Sequence, residues 1–339
     1  MVLITGATGL VGSHAALFLL RKGVQVRAIY RDIERLKSTQ SLFSLYGHGN
    51  LFDKIEWIEA DINDVPALET AFSAVDEVWH CAALISFASN DEVAMRKVNI
   101  EGTANIVNLS IIHNVRKLCF VSSIAALGDL KEHETIVTEE TEWNPEKHHS
   151  DYAISKYGAE MEILRGQQEG LQTIIINPGV ILGPGFWDQG SGKIFSAVAD
   201  DLPFYTKGST GFVAVTDVVE IMYRLMQSDT TGERYCVVAE NVVFRDLAFA
   251  IADAMKAKRP TIYAKPWMTE ISWIMDFLLS KITGAKRKLF KETARSLHAT
   301  DLYSSQKIRK ELDFEFTNIR EYVDEIVAVH KTDLANKTS

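Results

Sequence analysis

The first half of the chain alternates short β-branched apolar runs with longer amphipathic stretches, the pattern of βαβ units wound into a parallel sheet. Runs at 2–5, 24–30, 55–60, 77–82, 117–122 and 173–177 predict strands, several almost wholly apolar, as strands covered on both faces must be. Between them, 10–22, 93–113 and 152–168 predict helices, the first stopped by Gly23 and the others long enough to cross a sheet. Right-handed crossovers then make the fold class α/β, a doubly wound parallel sheet. After Asn177 the regularity breaks, where Pro178, Gly179, Gly183, Pro184, Gly185, Gly190 and Gly192 mark a loop-rich passage out of the sheet. A strand at 212–215, a helix at 217–227 capped by Thr216 or Asp217, and a strand at 235–239 follow, and from about Arg245 the chain reads as mainly helical. The expected division is 1–180, with 216–242 returning to it, and a smaller, mostly helical region from 181–215 and 243–330. Residues 331–339 read as a frayed tail.

One predicted helix, 267–282, carries two apolar faces. Trp267, Met268, Ile271, Ile274, Met275, Leu278, Leu279 and Ile282 form a continuous stripe expected to pack against the body of the protein. Trp273 and Phe277 stand on the opposite side among Thr269, Glu270, Asp276 and Ser280, where a solvated helix would be polar. Their partner is an apolar substrate under a lid, another C-terminal helix, or a membrane surface met with Lys281, Lys286, Arg287 and Lys288.

Composition narrows the class. With 339 residues, 47% hydrophobic and 24% charged, the chain can bury a large core, which excludes disorder and fibrous repeats. A net charge of −9 argues against a broad nucleic-acid-binding face. The 3 cysteines, Cys81, Cys119 and Cys236, are dispersed, which argues against a disulfide scaffold or a zinc ribbon, and no third ligand stands at metal spacing near His148 and His149, which read as a solvated loop. His14 reads as helix surface. The chain opens directly on a strand, and its longest apolar stretch is shorter than the ~20 residues of a membrane span, so a cytoplasmic protein without stable membrane insertion is expected.

The strongest local signal is Thr5-Gly6-Ala7-Thr8-Gly9-Leu10-Val11-Gly12, placed after a strand and opening a helix. In that context Gly6 permits the tight turn, Gly9 lets the backbone approach a pyrophosphate, and Gly12 lets helix and strand pack closely. A second constellation is Tyr152-Ala153-Ile154-Ser155-Lys156 at a helix start, with tyrosine and lysine four apart on one face. An adjacent ammonium lowers a phenol's pKa and makes it a better proton shuttle.

Together these motifs resemble the extended short-chain dehydrogenase/reductases, the NAD(P)-dependent epimerase/dehydratase superfamily, over nearly the whole chain. Asp61-Ile62, His80-Cys81-Ala82-Ala83, Asn99 within Val98-Asn99-Ile100-Glu101-Gly102-Thr103, Val121-Ser122-Ser123 and Asn177-Pro178-Gly179 match in order, and within the branch the chain looks most like dihydroflavonol reductases and 3β-hydroxysteroid dehydrogenase-like proteins. The resemblance implies a Rossmann-type sheet with a C-terminal substrate-binding region. It implies that Tyr152 exchanges a proton with the substrate oxygen, Lys156 lowers its pKa and holds the nicotinamide ribose, and Ser123 bonds the carbonyl or alcohol. Ser123 is preferred to Ser122 because it stands five residues before Gly128, the family's spacing. Asn99 falls at the family's structural or proton-relay position. The implied cofactor cleft comprises Thr5, Gly6, Thr8, Gly9, Leu10, Val11 and Gly12, then Arg31, Asp61, Ile62, Cys81, Ala82 and Ala83, and Tyr152, Lys156, Pro178, Gly179 and Val180. His80 reads either as a neutral side chain lining that cleft or as a satisfied structural histidine.

An NAD(P)-dependent reductase or dehydrogenase acting on a small, fairly apolar molecule is the first reading. A nucleotide-sugar epimerase or dehydratase with retained NAD is the second, and a non-catalytic cofactor sensor the third. Arg31, where an acid would accept from a ribose 2′-hydroxyl, points to NADP, with Arg35 and Lys37 adding charge; NAD remains open, because Asp32 rotated inward would favour the hydroxyl. The resemblance also implies a homodimer built from 93–113 and 152–168.

Overall fold

In chain order the strands are β1 (Val2–Thr5), β2 (Val26–Tyr30), β3 (Glu56–Glu59), β4 (Glu77–His80), β5 (Lys117–Val121), β6 (Thr173–Pro178), β7 (Val180–Leu182), β8 (Phe204–Tyr205), β9 (Ser209–Ala214), β10 (Glu233–Val237), β11 (Glu240–Val243) and β12 (Ile262–Tyr263). The helices are α1 (Leu10–Arg21), α2 (Leu36–Leu45), α3 (Val65–Ala71), α4 (Glu92–Met95), α5 (Gly102–Ile112), α6 (Asp151–Gln168), α7 (Gly192–Ala199), α8 (Val215–Gln227), α9 (Phe244–Met255), α10 (Pro266–Thr283), α11 (Lys291–Ser296), α12 (Gln306–Leu312) and α13 (Ile319–Thr338). This computed structural model describes every residue except 87, 285, 286, 288 and 339.

Seven strands form one parallel sheet in the order β10-β6-β5-β4-β1-β2-β3. The alternation within its apolar runs explains why both faces are covered. Val2 and Ile4 of β1 join one buried cluster with Ala15, Leu19 and Met222, while Leu3 between them joins a second with Leu68, Ile106 and Ile163. Helices α1 and α8 therefore cover one face, and α3, α5 and α6 the other. Each large side chain so buried contributes about 1.5–3 kcal/mol. The strand order reverses between β1 and β4, so the crevice at their C-terminal ends is where a doubly wound sheet places a ligand.

The chain then leaves this sheet and comes back, since β10 pairs with β6 while β7, β9 and β11 form a separate three-stranded sheet. The strands β7, β8, β11 and β12 were absent from the sequence reading because each is only two to four residues long, too short to show a period. The helix expected at 93–113 is a single rod from 92 to 112 with a π-helical turn at Arg96–Glu101.

Three expectations are corrected. Helix α8 starts at Val215 with Ala214 as its uncapped boundary, and the Asp217 carboxylate instead accepts from the N–H and hydroxyl of Thr317, at 2.8 and 2.7 Å, tying α8 to the segment before α13. Residues 331–338 are not a frayed tail but the end of α13, held by Lys331 donating to Ala254 O and by the Trp187 indole donating to Asp333; residue 339 lies outside the described residues. His14 is buried rather than on the surface, its ring edge-on to Tyr46 with centroids 5.7 Å apart, and burial lowers its pKa to about 4 against the opposing bond to Leu10 O.

Helix α10 is inverted relative to expectation. Its predicted core stripe is exposed, and the opposite side docks onto the following segment. The Thr269 hydroxyl is hydrogen-bonded to His298 Nε2 at 2.9 Å, Asp276 accepts from the Leu289 N–H, and Phe277 lies under Arg287. These partners, all from the segment C-terminal to α10, explain why the mixed polar and aromatic side faces inward.

Candidate active site

At the end of β1 the chain turns through Gly6 at φ +71°, where a Cβ would lie 2.6 Å from Ala82 N. The turn is thus pressed against the segment following β4. Gly9, the boundary residue of α1, differs, because a Cβ there would meet nothing nearer than Gly6 O at 3.5 Å, an ordinary contact. The fold itself has room for a side chain at Gly9, so its bare backbone keeps open a space outside the protein. No side chain caps this end of α1 and its first turn holds no acid, leaving N–H groups suited to an anion. A dinucleotide pyrophosphate fits this cradle.

Beyond β2, the Arg31 guanidinium reaches Asp61 at 3.2 Å, with half its side chain exposed. Burial pulls the Asp61 pKa up, but donation from Asn63 and Arg31 outweighs it and leaves the carboxyl below its ordinary range. Asp32 is occupied otherwise, its carboxylate accepting from the Glu34 N–H at 2.9 Å to cap the next turn. Lys37 is paired with Glu34.

The proton-transfer candidates meet where β5 ends and α6 begins. Ser150 caps α6 by accepting from the Ala153 N–H at 3.1 Å, which presents Tyr152 in the first turn. The Tyr152 phenol lies close enough to Ser123 for that side chain to act on its pKa. Ser122 donates to Glu160. Burial raises the Tyr152 pKa and the nearby Ser123 only partly offsets this, so the phenol stands above its ordinary value, not below it as the spacing to Lys156 predicts. Lys156 is turned elsewhere. Its ammonium donates to Val121 O at 2.8 Å, lies 4.5 Å from the Phe120 ring centroid, and has its pKa lowered by burial to about 8 despite the opposing charge of Glu160.

Behind this pair the polar groups form a defined chain. Thr5 Oγ1 accepts from the Ala82 N–H at 3.1 Å, so its proton goes to His80 Nδ1 at 2.6 Å; Thr103 Oγ1 gives its proton to Asn99 O at 2.6 Å and therefore accepts from His80 Nε2 at 2.9 Å. His80 is fully buried, with its pKa lowered to about 3 by burial first and the Lys156 charge second. Of its two readings the geometry selects the structural one. Asn99 stands in the π-helical turn, clamps both N–H and C=O of Leu84, and donates to Ser155 Oγ at 2.9 Å, so its side chain joins helix to strand end.

Sequence reasoning missed Glu160. It is fully buried and accepts from Ser122, from Asn177 at 2.6 Å and from Arg234 at 3.1 Å. Its position four residues after Lys156, continuing the Tyr152–Lys156 face of α6, was the available signal. Asn177 also donates to Ser123 O at 2.8 Å, which braces the serine. His149 is likewise no part of a solvated loop. Its ring stacks on Trp143 with centroids 3.8 Å apart and its Nε2 lies 2.9 Å from Asn144 O. His148 and Asp151, by contrast, line a cavity of about 660 Å³ whose other wall is Trp273, Phe277 and Phe290.

The model of the NAD dependent epimerase/dehydratase family matches residues 2–238. Sterol demethylase protein B of Methylococcus capsulatus is 26% identical over 337 residues, covering 96% of this chain and 97% of that protein. Dihydroflavonol 4-reductase of Arabidopsis thaliana is 31% identical over 193 residues, which is 54% of this chain and 50% of that enzyme. Among solved structures, that of gox2253 superposes with a TM-score of 0.79 at 26% identity, covering 98% of both chains.

Proposed function

The chain belongs to the NAD dependent epimerase/dehydratase family, and on that premise we propose that it is an NADP(H)-dependent cytoplasmic oxidoreductase that reduces a carbonyl, or oxidises the corresponding secondary alcohol, on a small and fairly apolar substrate. The observation that carries this reading is the placement of Tyr152, whose pKa responds to Ser123, directly after Asp151, which lines a cavity walled by Trp273, Phe277 and Phe290. When bound, the nicotinamide supplies or accepts the hydride. The rest is the work of side chains. A phenol held above its ordinary pKa keeps its proton at neutral pH and donates it to the oxygen of a carbonyl undergoing reduction. Ser123 holds that oxygen, and Lys156, one helical turn further along α6, supplies the charge that stabilises the phenolate left behind. Asn99 serves this arrangement by positioning Ser155 and Leu84. The aromatic wall binds apolar surface and excludes water.

NADP(H) over NAD(H) is supported by Arg31 at the end of β2 and by Asp32 being engaged in a cap rather than turned toward a ribose. Thr5 to Gly12, Asp61, Ile62, Cys81 to Ala83, and Pro178 to Val180 complete the proposed cofactor cleft. Residues 1–180 with 216–242 would hold the cofactor, and 181–215 with 243–330 the substrate. The protein would act as a homodimer through the rod 92–112 and α6, where Val93, Ile112, Met161 and Leu164 are exposed.

The test is loss of NADPH absorbance with a panel of flavanone, steroid and arylalkyl ketones, together with denaturing mass spectrometry of the purified protein. Turnover of one such ketone supports the reading. Tightly held NAD or a nucleotide sugar in the spectrum, with no ketone turned over, replaces it with epimerase chemistry.

A further inference from the structure

Helix α10 presents an apolar stripe to water that nothing among the described residues covers. Trp267, Ile271, Met275, Leu279 and Ile282 are each between 51% and 81% exposed and repeat at helical spacing along roughly 22 Å of helix. They are not the residues that line the substrate cavity with Trp273 and Phe277. Singly exposed apolar residues are ordinary, but a continuous stripe of five on one helix marks a docking surface.

Charge identifies the occupant. Residues 256–298 hold ten Lys and Arg against three Asp and Glu, in a chain whose net charge is −9. Lys265 and Lys281 at the two ends of α10 are exposed and form no ion pair among the described residues, the Lys281 ammonium lying 5.2 Å from the Phe277 ring centroid at the edge of the stripe; Lys291 lines the cavity with Trp273 and Phe277, and Lys286 and Lys288 lie outside the described residues. The basic segment and the apolar stripe are the same piece of chain. A second copy docking by a two-fold axis would bring this basic segment against itself, which like charges disfavour. An anionic lipid surface satisfies both features. Among the described residues no helix is long and apolar enough to cross a membrane, so the contact is with the surface.

We propose that α10 is an interfacial helix that lies flat in the headgroup region of an anionic membrane, with the Trp267–Ile282 stripe at the acyl boundary and Lys265 and Lys281 at its two ends against the phosphates. The helix begins at Pro266 and stops at Gly284, so its buried length matches the stripe, and Trp267 at one end is the residue type that anchors in the interface.

The experiment is co-sedimentation of the full chain with vesicles of phosphatidylcholine alone and of phosphatidylcholine mixed with phosphatidylglycerol. Expected is pelleting with the mixed vesicles that weakens by about tenfold in high salt or on pure phosphatidylcholine. The double substitution Ile271→Glu, Leu279→Glu should lower vesicle binding on the order of tenfold or more while NADPH binding and thermal stability are retained, since both positions are exposed. Lys265→Glu with Lys281→Glu should lower only the anionic component, giving a second readout that does not disturb the stripe. Wild-type protein remaining in the supernatant with mixed vesicles overturns the proposal. So does a stripe variant that pellets like wild type. Light scattering that shows a dimer converted to a monomer by the stripe variant would assign the face to a second copy, and loss of ketone turnover without lipid would assign it to substrate; either result also overturns it.

Discussion

Removing the Lys156 ammonium should make the protein more stable while making it inactive. The side chain is 2% exposed, and burial lowers its pKa from 10.5 to about 8. Holding it charged at neutral pH therefore costs about 3 kcal/mol relative to the unfolded chain. Replacement by methionine keeps the stem, removes that cost, and forfeits the bond to Val121 O and the contact with the Phe120 ring, together worth about 1–2 kcal/mol. The net expectation for Lys156→Met is a gain of about 1–2 kcal/mol, or roughly 2–3 °C in Tm for a chain of this length. The pH dependence has a definite sign. A lysine whose folded pKa is depressed binds its proton more weakly in the folded state, so the cost is greatest below pH 8 and fades as pH rises toward 10.5. The advantage of the variant over wild type should accordingly shrink between pH 7 and pH 10. Differential scanning calorimetry of the cofactor-free protein across that range measures it. A variant that melts below wild type at pH 7, or an advantage that grows with pH, would refute the claim that the ammonium is held against its solvation.

Tyr152→Phe should abolish turnover, by a factor on the order of 10² or more, and leave the Kd for NADPH within about twofold, because only the proton-bearing hydroxyl is lost; retained activity on an identified ketone would remove the assignment. Arg31→Ala should weaken NADPH on the order of tenfold and leave NADH nearly unchanged, read by fluorescence titration of both cofactors. Equal losses for the two would show that Arg31 acts only through Asp61. Static light scattering should report a dimer at micromolar concentration, and Met161→Glu with Leu164→Glu should yield a monomer of unchanged fold, as both residues are exposed in the single chain.

The large sheet was legible because its strands satisfy two cores at once. The run of three isoleucines within β6 is accounted for because Ile174 and Ile176 face one helical layer and Ile175 the other. The placement of Tyr152, Lys156 and Ser123 was legible for a related reason, since all three stand near strand and helix ends that the pattern located. What the pattern does not carry is the direction in which a side chain is spent. Asp217 has the composition of a cap yet bonds to Thr317 a hundred residues away, and Lys156 has the spacing of a tyrosine's partner yet gives its proton to Val121 O. Both depend on contacts long-range in sequence. Glu160 illustrates the same limit from the other side, because its spacing was visible but its burial, enforced by Arg234 and Asn177 from two other strands, was not.

Helix α10 shows most plainly what periodicity leaves undetermined. A stripe of Trp267, Ile271, Met275, Leu279 and Ile282 states that one face prefers an apolar neighbour; it does not state which neighbour. The ordinary inference is that the neighbour is the protein's own core, because most apolar stripes in globular chains are buried that way. Here the opposite face wins the contact. Thr269, Asp276 and Phe277 each find a specific partner in the segment 287–298, and a helix cannot bury both sides against one thin segment. The side with polar partners docks, and the side with only apolar surface remains outside. A helix that would lose free energy to water in this orientation persists in a sequence that also concentrates its positive charge beside it. An exposed apolar stripe with Lys265 and Lys281 at its two ends points outward, to a partner that is itself apolar beneath an anionic skin.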